Sequence, residues 1–152
     1  MSRIQDKRFE ASVAHAVTRL FREQNRLYGR AVGSFGMSAE QAHLLTLLWT
    51  RGGTMSAGEL GAEAALSSGT LSAAIDRMAA AGLVERRPDP ADRRGVLVEA
   101  ARWPAARRER LLATLLAVED AILASLSERE RRTLVRLLTR VLAALVPARA
   151  RP

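Results

Sequence analysis

The stretch "LSSGTLSAAIDRMAAAGLVERRPDPADRRGVLV", residues 66–98, decides how this chain folds. Its first half has helical spacing: Leu71, Ile75 and Met78 share one face, and Gly82 is placed to end the helix. The opposite face carries almost no bulk. In the second half, "LVERR" and "GVLVE" flank "PDPAD", the composition of two short strands joined by a turn, so a hairpin follows the helix. Small side chains serve two ends equally well: the close approach of another helix, or the close approach of a base edge. The surrounding elements must choose between them.

Upstream, "SAGE" from Ser56 is a capping box: the Ser oxygen can accept an early backbone N–H while Glu59 reaches back. It opens a short helix to about residue 65, and "GTM" just before it can form one short strand. "SAEQ" from Ser38 opens an earlier helix with a core face of Leu44, Leu45 and Leu48, stopped by "RGG". Before that, Phe9, Val13, Ala16, Leu20, Leu27 and Ala31 recur at helical spacing over about residues 6–32, and "GSFG" ends the run. Downstream of the hairpin a leucine-rich helix starts at about Trp103, with Pro104 in its first turn. A last box, "SERE" at Ser127, starts a helix whose apolar face is Leu134, Leu137, Leu138, Val141, Leu142 and Leu145. The expected order is α1 (about 6–32), α2 (about 38–50), β1 (near 53–55), α3 (about 56–65), α4 (about 67–81), β2 and β3 around the turn at 88–92, α5 (from about 103) and α6 (from about 127). The fold class is mainly α with a small β-hairpin wing. A winged helix-turn-helix over residues 37–100 is flanked by long dimerisation helices in 1–36 and 101–152.

Two short helices, the second led by small polar residues, make a helix-turn-helix, which inserts that second helix into the major groove. The outward positions of α4 are Ser67, Ser68, Thr70, Ser72, Ala73 and Arg77. Hydroxyls there suit phosphates or base edges, Ala or a Thr methyl suits the thymine methyl, and Arg77 suits phosphate or guanine. The hairpin favours the nucleic-acid reading over simple packing. "ERRPDPADRR" puts Arg86 and Arg87 on one strand and Arg93 and Arg94 just after the turn, and arginine at a hairpin tip suits the narrow minor groove. Asp92 is near enough in sequence to orient one of them by a charge-assisted hydrogen bond.

These residues carry a resemblance. Residues 38–98 resemble the winged helix of the multiple-antibiotic-resistance regulator (MarR) family in the Gly-Leu-Val-Glu-Arg step, the Asp-Pro-x-Asp-Arg-Arg wing and the Leu-x-Val exit strand. Helix order and length agree over nearly the whole chain. The resemblance implies a homodimeric transcriptional regulator whose α4 reads the major groove of a palindromic operator and whose Arg94, held by Asp92, probes the minor groove. The wing exit departs from the family pattern: "EAARWPAARRERL" has Trp103-Pro104 where the family usually has Leu-Thr and a Gly-containing helix start.

Composition is consistent with this. The net charge of +8 and pI of 11.5 favour a polyanionic partner, although 23 of the 24 basic residues are Arg and Ala is abundant, which also fits a GC-rich genome. There is no Cys, which removes disulfides, thiolate metal sites and thiol chemistry. No signal-length or membrane-spanning apolar run is visible, so a soluble cytoplasmic protein is expected. Adjacent apolar positions at 111/112, 115/116 and 122/123 give α5 two apolar faces, one of which a second copy would bury. The resemblance also implies a small, often aromatic or anionic effector, for which Tyr28, His43, Trp49 and Trp103 are the candidate lining; the same residues fit an ordinary core. No carboxylate pair, Ser–His–Asp set, phosphate loop or metal-spaced His cluster is present, so no enzyme activity, cofactor or metal is expected.

Overall fold

The computed structural model describes residues 12–93 and 95–145. The elements are α1 (Val13–Val32), a 3₁₀ turn (Gly33–Phe35), α2 (Ala39–Thr50), β1 (Thr54–Ser56), α3 (Ala57–Glu63), α4 (Ser68–Ala80), β2 (Val84–Pro88), β3 (Val96–Ala100), α5 (Ala105–Ile122) and α6 (Glu128–Leu145). This is the expected order, and the fold is a winged helix. Phe9 and the start expected for α1 lie outside the described residues. The chain divides into two compact units, one up to Leu115 and one from Leu116 onward.

Local chemistry sets the boundaries. The boxes at α2 and α3 both close: Ser38 Oγ accepts from the Gln41 N–H at 3.2 Å while the Ser38 N–H donates to Gln41 Oε1 at 2.8 Å. The Ser56–Glu59 pair repeats the pattern. α4 is capped by Ser67, whose Oγ accepts from the Thr70 N–H. It ends with Gly82 at φ 67°, where the Leu83 N–H donates to Met78 O and the Gly82 N–H to Ala79 O, the paired bonds of a Schellman stop. Pro104 does not sit inside the first turn of α5. Its carbonyl accepts from the Arg107 and Arg108 N–H groups, so it stands just before the first helical residue.

α3 joins α4 through a turn with the same bonding, but the left-handed position is Ala65, at φ 55°. A side chain there costs about 1–2 kcal/mol. Gly61 is buried one turn earlier, and a Cβ on it would sit 3.1 Å from Leu71 Cδ2, so its bareness lets α3 and α4 approach closely.

The sheet has the order β1-β3-β2, antiparallel throughout, with Met55 opposite Val98 and Arg86 opposite Val98 on the other edge. Leu44, Leu45 and Leu48 from α2, Leu60 from α3, Leu71, Ala74, Ile75 and Met78 from α4, and Val84 and Val98 from the hairpin form one buried cluster with Leu111 of α5. α4 is thereby fixed by its apolar face, and its other face is left to solvent.

Candidate nucleic-acid interface

Ser67, Ser68, Thr70, Ser72, Ala73 and Arg77 are all exposed. The four buried residues of α4 recur at positions i, i+3, i+4 and i+7, which turns the small polar residues outward. Three of the hydroxyls are already engaged, that of Ser72 by Arg86. Ser67 Oγ and Thr70 Oγ1 lie 2.8 Å apart, so Ser67 serves the helix as its cap. Ser68, Ser72 and Ala73 complete a surface with no bulk to hold a groove away.

The hairpin tip is held by backbone bonds. The Asp89 N–H donates to Gly95 O at 3.1 Å, and the Gly95 N–H donates to Asp92 O at 2.8 Å. Asp89 Oδ1 accepts from the Ala91 N–H at 2.8 Å, an Asx turn inside the wing. A Cβ on Gly95 would fall 2.9 Å from Asp89 Cβ, 3.0 Å from Asp92 Cβ and 3.1 Å from Asp92 O. Arg86, Arg87, Pro88, Arg93, Gly95 and Val96 line a concavity of about 340 Å³ along this tip. Arg93 and Asp92 are exposed, and Arg93 makes no ion pair among the described residues. Arg94, the arginine expected to probe the minor groove, lies outside the described residues.

The other arginines have acidic partners that sequence reasoning missed. Arg77 Nη2 is 3.3 Å from Glu40 Oε1 on α2. Arg87 meets Glu99 at 2.9 Å and Glu85 at 3.4 Å. Arg86 lies 2.9 Å from Asp76 and reaches Ser72, both on α4. Only the last had a sequence signal. Strand residues alternate faces, so Arg86 shares the face of buried Val84, while Glu85 and Arg87 share the other. Counting the sequence shows the same balance. Residues 37–100 hold six arginines against eight carboxylates, a net charge of −2, so the excess of +8 resides entirely in the flanking segments.

Of the candidate effector residues, Trp49 and Trp103 come together. Their rings pack edge to face with centroids 5.5 Å apart, and both also rest on the buried core. Three arginines of α5 cover this aromatic region: Arg107 lies 3.9 Å from the Trp103 ring centre, Arg108 5.8 Å from Trp49 and Arg110 5.5 Å from Phe35. The sequence signal for them was the run of arginines after Trp103-Pro104. Tyr28 is half-buried on α1 and His43 is exposed on α2. Among the described residues, no cluster of three or more His, Asp or Glu could hold a metal ion, and no helix is long and apolar enough to cross a membrane.

Residues 37–96 match the model of the MarR family. Over 69 residues the chain is 41% identical to the uncharacterized HTH-type transcriptional regulator YcgE of Bacillus subtilis, a match covering 45% of this chain and 42% of that relative, less than half the length of either. Among solved structures, a mutant of the Escherichia coli regulator MarR complexed with operator DNA is similar at a TM-score of 0.76 and 26% identity, covering 86% of this chain and 93% of that one. The Bordetella bronchiseptica protein BpsR, whose DNA binding is regulated by 6-hydroxynicotinic acid, is similar at a TM-score of 0.77 and 25% identity, covering 88% of this chain and 94% of that one.

Proposed function

We propose that this chain, whose residues 37–96 form a MarR family domain, is a homodimeric transcriptional regulator that binds a palindromic operator and is released from it by a small aromatic acid. The observation that carries the reading is the pairing of a small-residue recognition face with an arginine-bearing wing in one packed unit. Ser68, Thr70, Ser72 and Ala73 meet base edges in the major groove, and Arg93 and Arg94 reach the adjoining minor groove, with Asp92 orienting Arg94. Ser67 and Arg77 meet phosphate. Residues 1–36 and 101–152 supply the pairing surface. The protein acts in the cytoplasm by binding and is not an enzyme. The effector region is the Trp49–Trp103 pair with Arg107 and Arg108, where ring stacking and guanidinium charge both suit an aromatic carboxylate. Relatives support both halves of this reading: one is solved on operator DNA, and another has its DNA binding regulated by an aromatic acid.

The test is footprinting on the DNA flanking the chain's own gene, followed by titration of the complex with a panel of small aromatic acids. A two-fold symmetric footprint that one acid abolishes is expected. Protection without sequence preference would overturn the operator reading. A symmetric footprint that no acid changes would leave a regulator controlled by its abundance.

A further inference from the structure

Arg86 lies where a wing arginine would be expected to grip DNA, yet its guanidinium turns onto the exposed flank of α4. Period-two alternation along β2 puts it on the side of buried Val84, against α4. There Nη2 meets Asp76 Oδ1 at 2.9 Å and donates to the Ser72 carbonyl at 3.2 Å and to Ser72 Oγ at 3.3 Å. Ser72 and Asp76 are one helical turn apart on the same face, so one cation spans the exposed flank of α4. The Arg86 side chain keeps 37% of its exposure, against 59% for Arg87, which pairs only within the sheet.

We propose that Arg86 is a positioning residue for DNA recognition: with Asp76 and Ser72 it clasps the recognition helix to the wing and fixes the angle at which the two enter adjacent grooves. This rests on the operator-binding reading above. A hairpin held to the core only through its base can tilt about that base, and the tip amplifies any tilt. The clasp ties β2 beyond Val84, on the tip side, directly to the surface that meets the bases. It also explains an acid on a DNA-facing helix. Asp76 is 65% exposed and would repel phosphate, so its presence there is unfavourable for binding unless it holds something in place.

A phosphate contact and a clasp predict opposite results. Arg86→Gln, Asp76→Asn and the charge-swapped double Asp76→Arg/Arg86→Asp are made in the full-length chain and checked for unchanged melting. Binding is measured to the operator and to a random duplex across chloride concentrations. If the clasp holds, each single variant loses operator affinity by roughly three- to tenfold. Binding to the random duplex stays unchanged, and so does the slope of log affinity against log salt. Asp76→Asn loses affinity even though it removes a negative charge from the DNA side, and the swap recovers part of the loss. If Arg86→Gln weakens both duplexes alike and flattens the slope by about one, Arg86 neutralises a phosphate and the proposal fails. Tighter binding by Asp76→Asn to both duplexes also overturns it. Amide hydrogen exchange on the free protein separates this result from failure of the operator reading. The clasp predicts faster exchange along β2 and the first half of α4 in both single variants, with the α2 core unchanged. A wild-type chain that prefers no duplex would sink the operator reading alone; unchanged exchange in both variants would sink the clasp.

Discussion

At the scale of single residues, the recognition surface is set by contacts that restrain charge and by one missing Cβ. Gly95 closes the wing because its carbonyl and N–H both bond across the turn, with no room for a side chain. The atoms crowding a Cβ there are backbone or the first carbon of Asp89 and Asp92, which cannot swing away. Gly95→Ala should therefore open the tip and weaken operator binding by about tenfold or more, on the scale of one lost base contact. The melting temperature should hardly move, since nothing in the buried cluster changes; a large drop in melting with tip geometry intact would contradict this. Glu40 does the reverse of binding DNA. It holds the Arg77 guanidinium at 3.3 Å, across an exposed pair that contributes little to stability. Glu40→Gln should free Arg77 and remove a nearby negative charge. Affinity for any duplex should then rise by roughly two- to fivefold, with a salt slope steeper by up to about one. Equal affinity and equal slope would show that Arg77 never meets phosphate.

At the scale of elements, end chemistry was legible in the sequence because capping is local. Three Ser-x-x-Glu/Gln boxes placed the starts of α2, α3 and α6 within a residue or two, and Gly82 placed the end of α4. The α3–α4 turn was not legible, because its left-handed position holds Ala65 where glycine would have marked it. Ala65→Gly should relieve the strain, and even after the added freedom of the unfolded chain it should raise stability by about 0.5–1 kcal/mol in a denaturant titration. A loss of stability would mean that Ala65 packs favourably enough to outweigh its backbone. The boxes also set an acid limit. Glu59 is held below the ordinary carboxylate value first by the Ser56 hydroxyl and then by the Ser56 N–H, and Glu130 is held down in the same way by Ser127. A lowered folded-state pKa adds stability that is fully present above the ordinary value and is lost as pH falls through the folded one. Melting temperature should therefore decline below about pH 4.5, and Glu59→Gln with Glu130→Gln should flatten that decline. The same acid limb in the double variant would assign it to other carboxylates.

At the scale of the whole molecule, total charge and its distribution along the chain carry different information, and both are written in the sequence. The excess of +8 pointed toward nucleic acid, but residues 37–100 carry net −2, and only the ion pairs show which arginines are neutralised. Long-range pairs such as Glu40–Arg77 leave no spacing pattern, so no reading of the chain could place them. The stripes on α1 and α6 were legible because helical period is local, whereas of the α5 pairs at 111/112, 115/116 and 122/123 only Leu116 stays exposed and Leu111 is buried in the core. On α1, Val13, Val17, Leu20, Phe21 and Leu27 stay exposed. On α6, Val135, Leu137, Leu138, Val141 and Leu142 do so as well. Neither stripe is covered by its own unit, and exposed apolar side chains aligned along one helix face suit an interface. In the operator-binding reading proposed above, a second copy is the partner for these stripes, because it supplies the second recognition helix at a fixed spacing. Sedimentation at micromolar concentration should therefore give about twice the 16.6 kDa chain mass. Phe21→Glu and Leu142→Glu should each shift it toward the single-chain value, since a carboxylate buried in an apolar interface without a partner is strongly unfavourable. Both residues are exposed and outside the buried cluster, so melting of that core should persist while operator affinity collapses to that of one half-site. A wild-type chain that sediments as a monomer, or variants that stay dimeric and bound, would require a different partner for these two stripes.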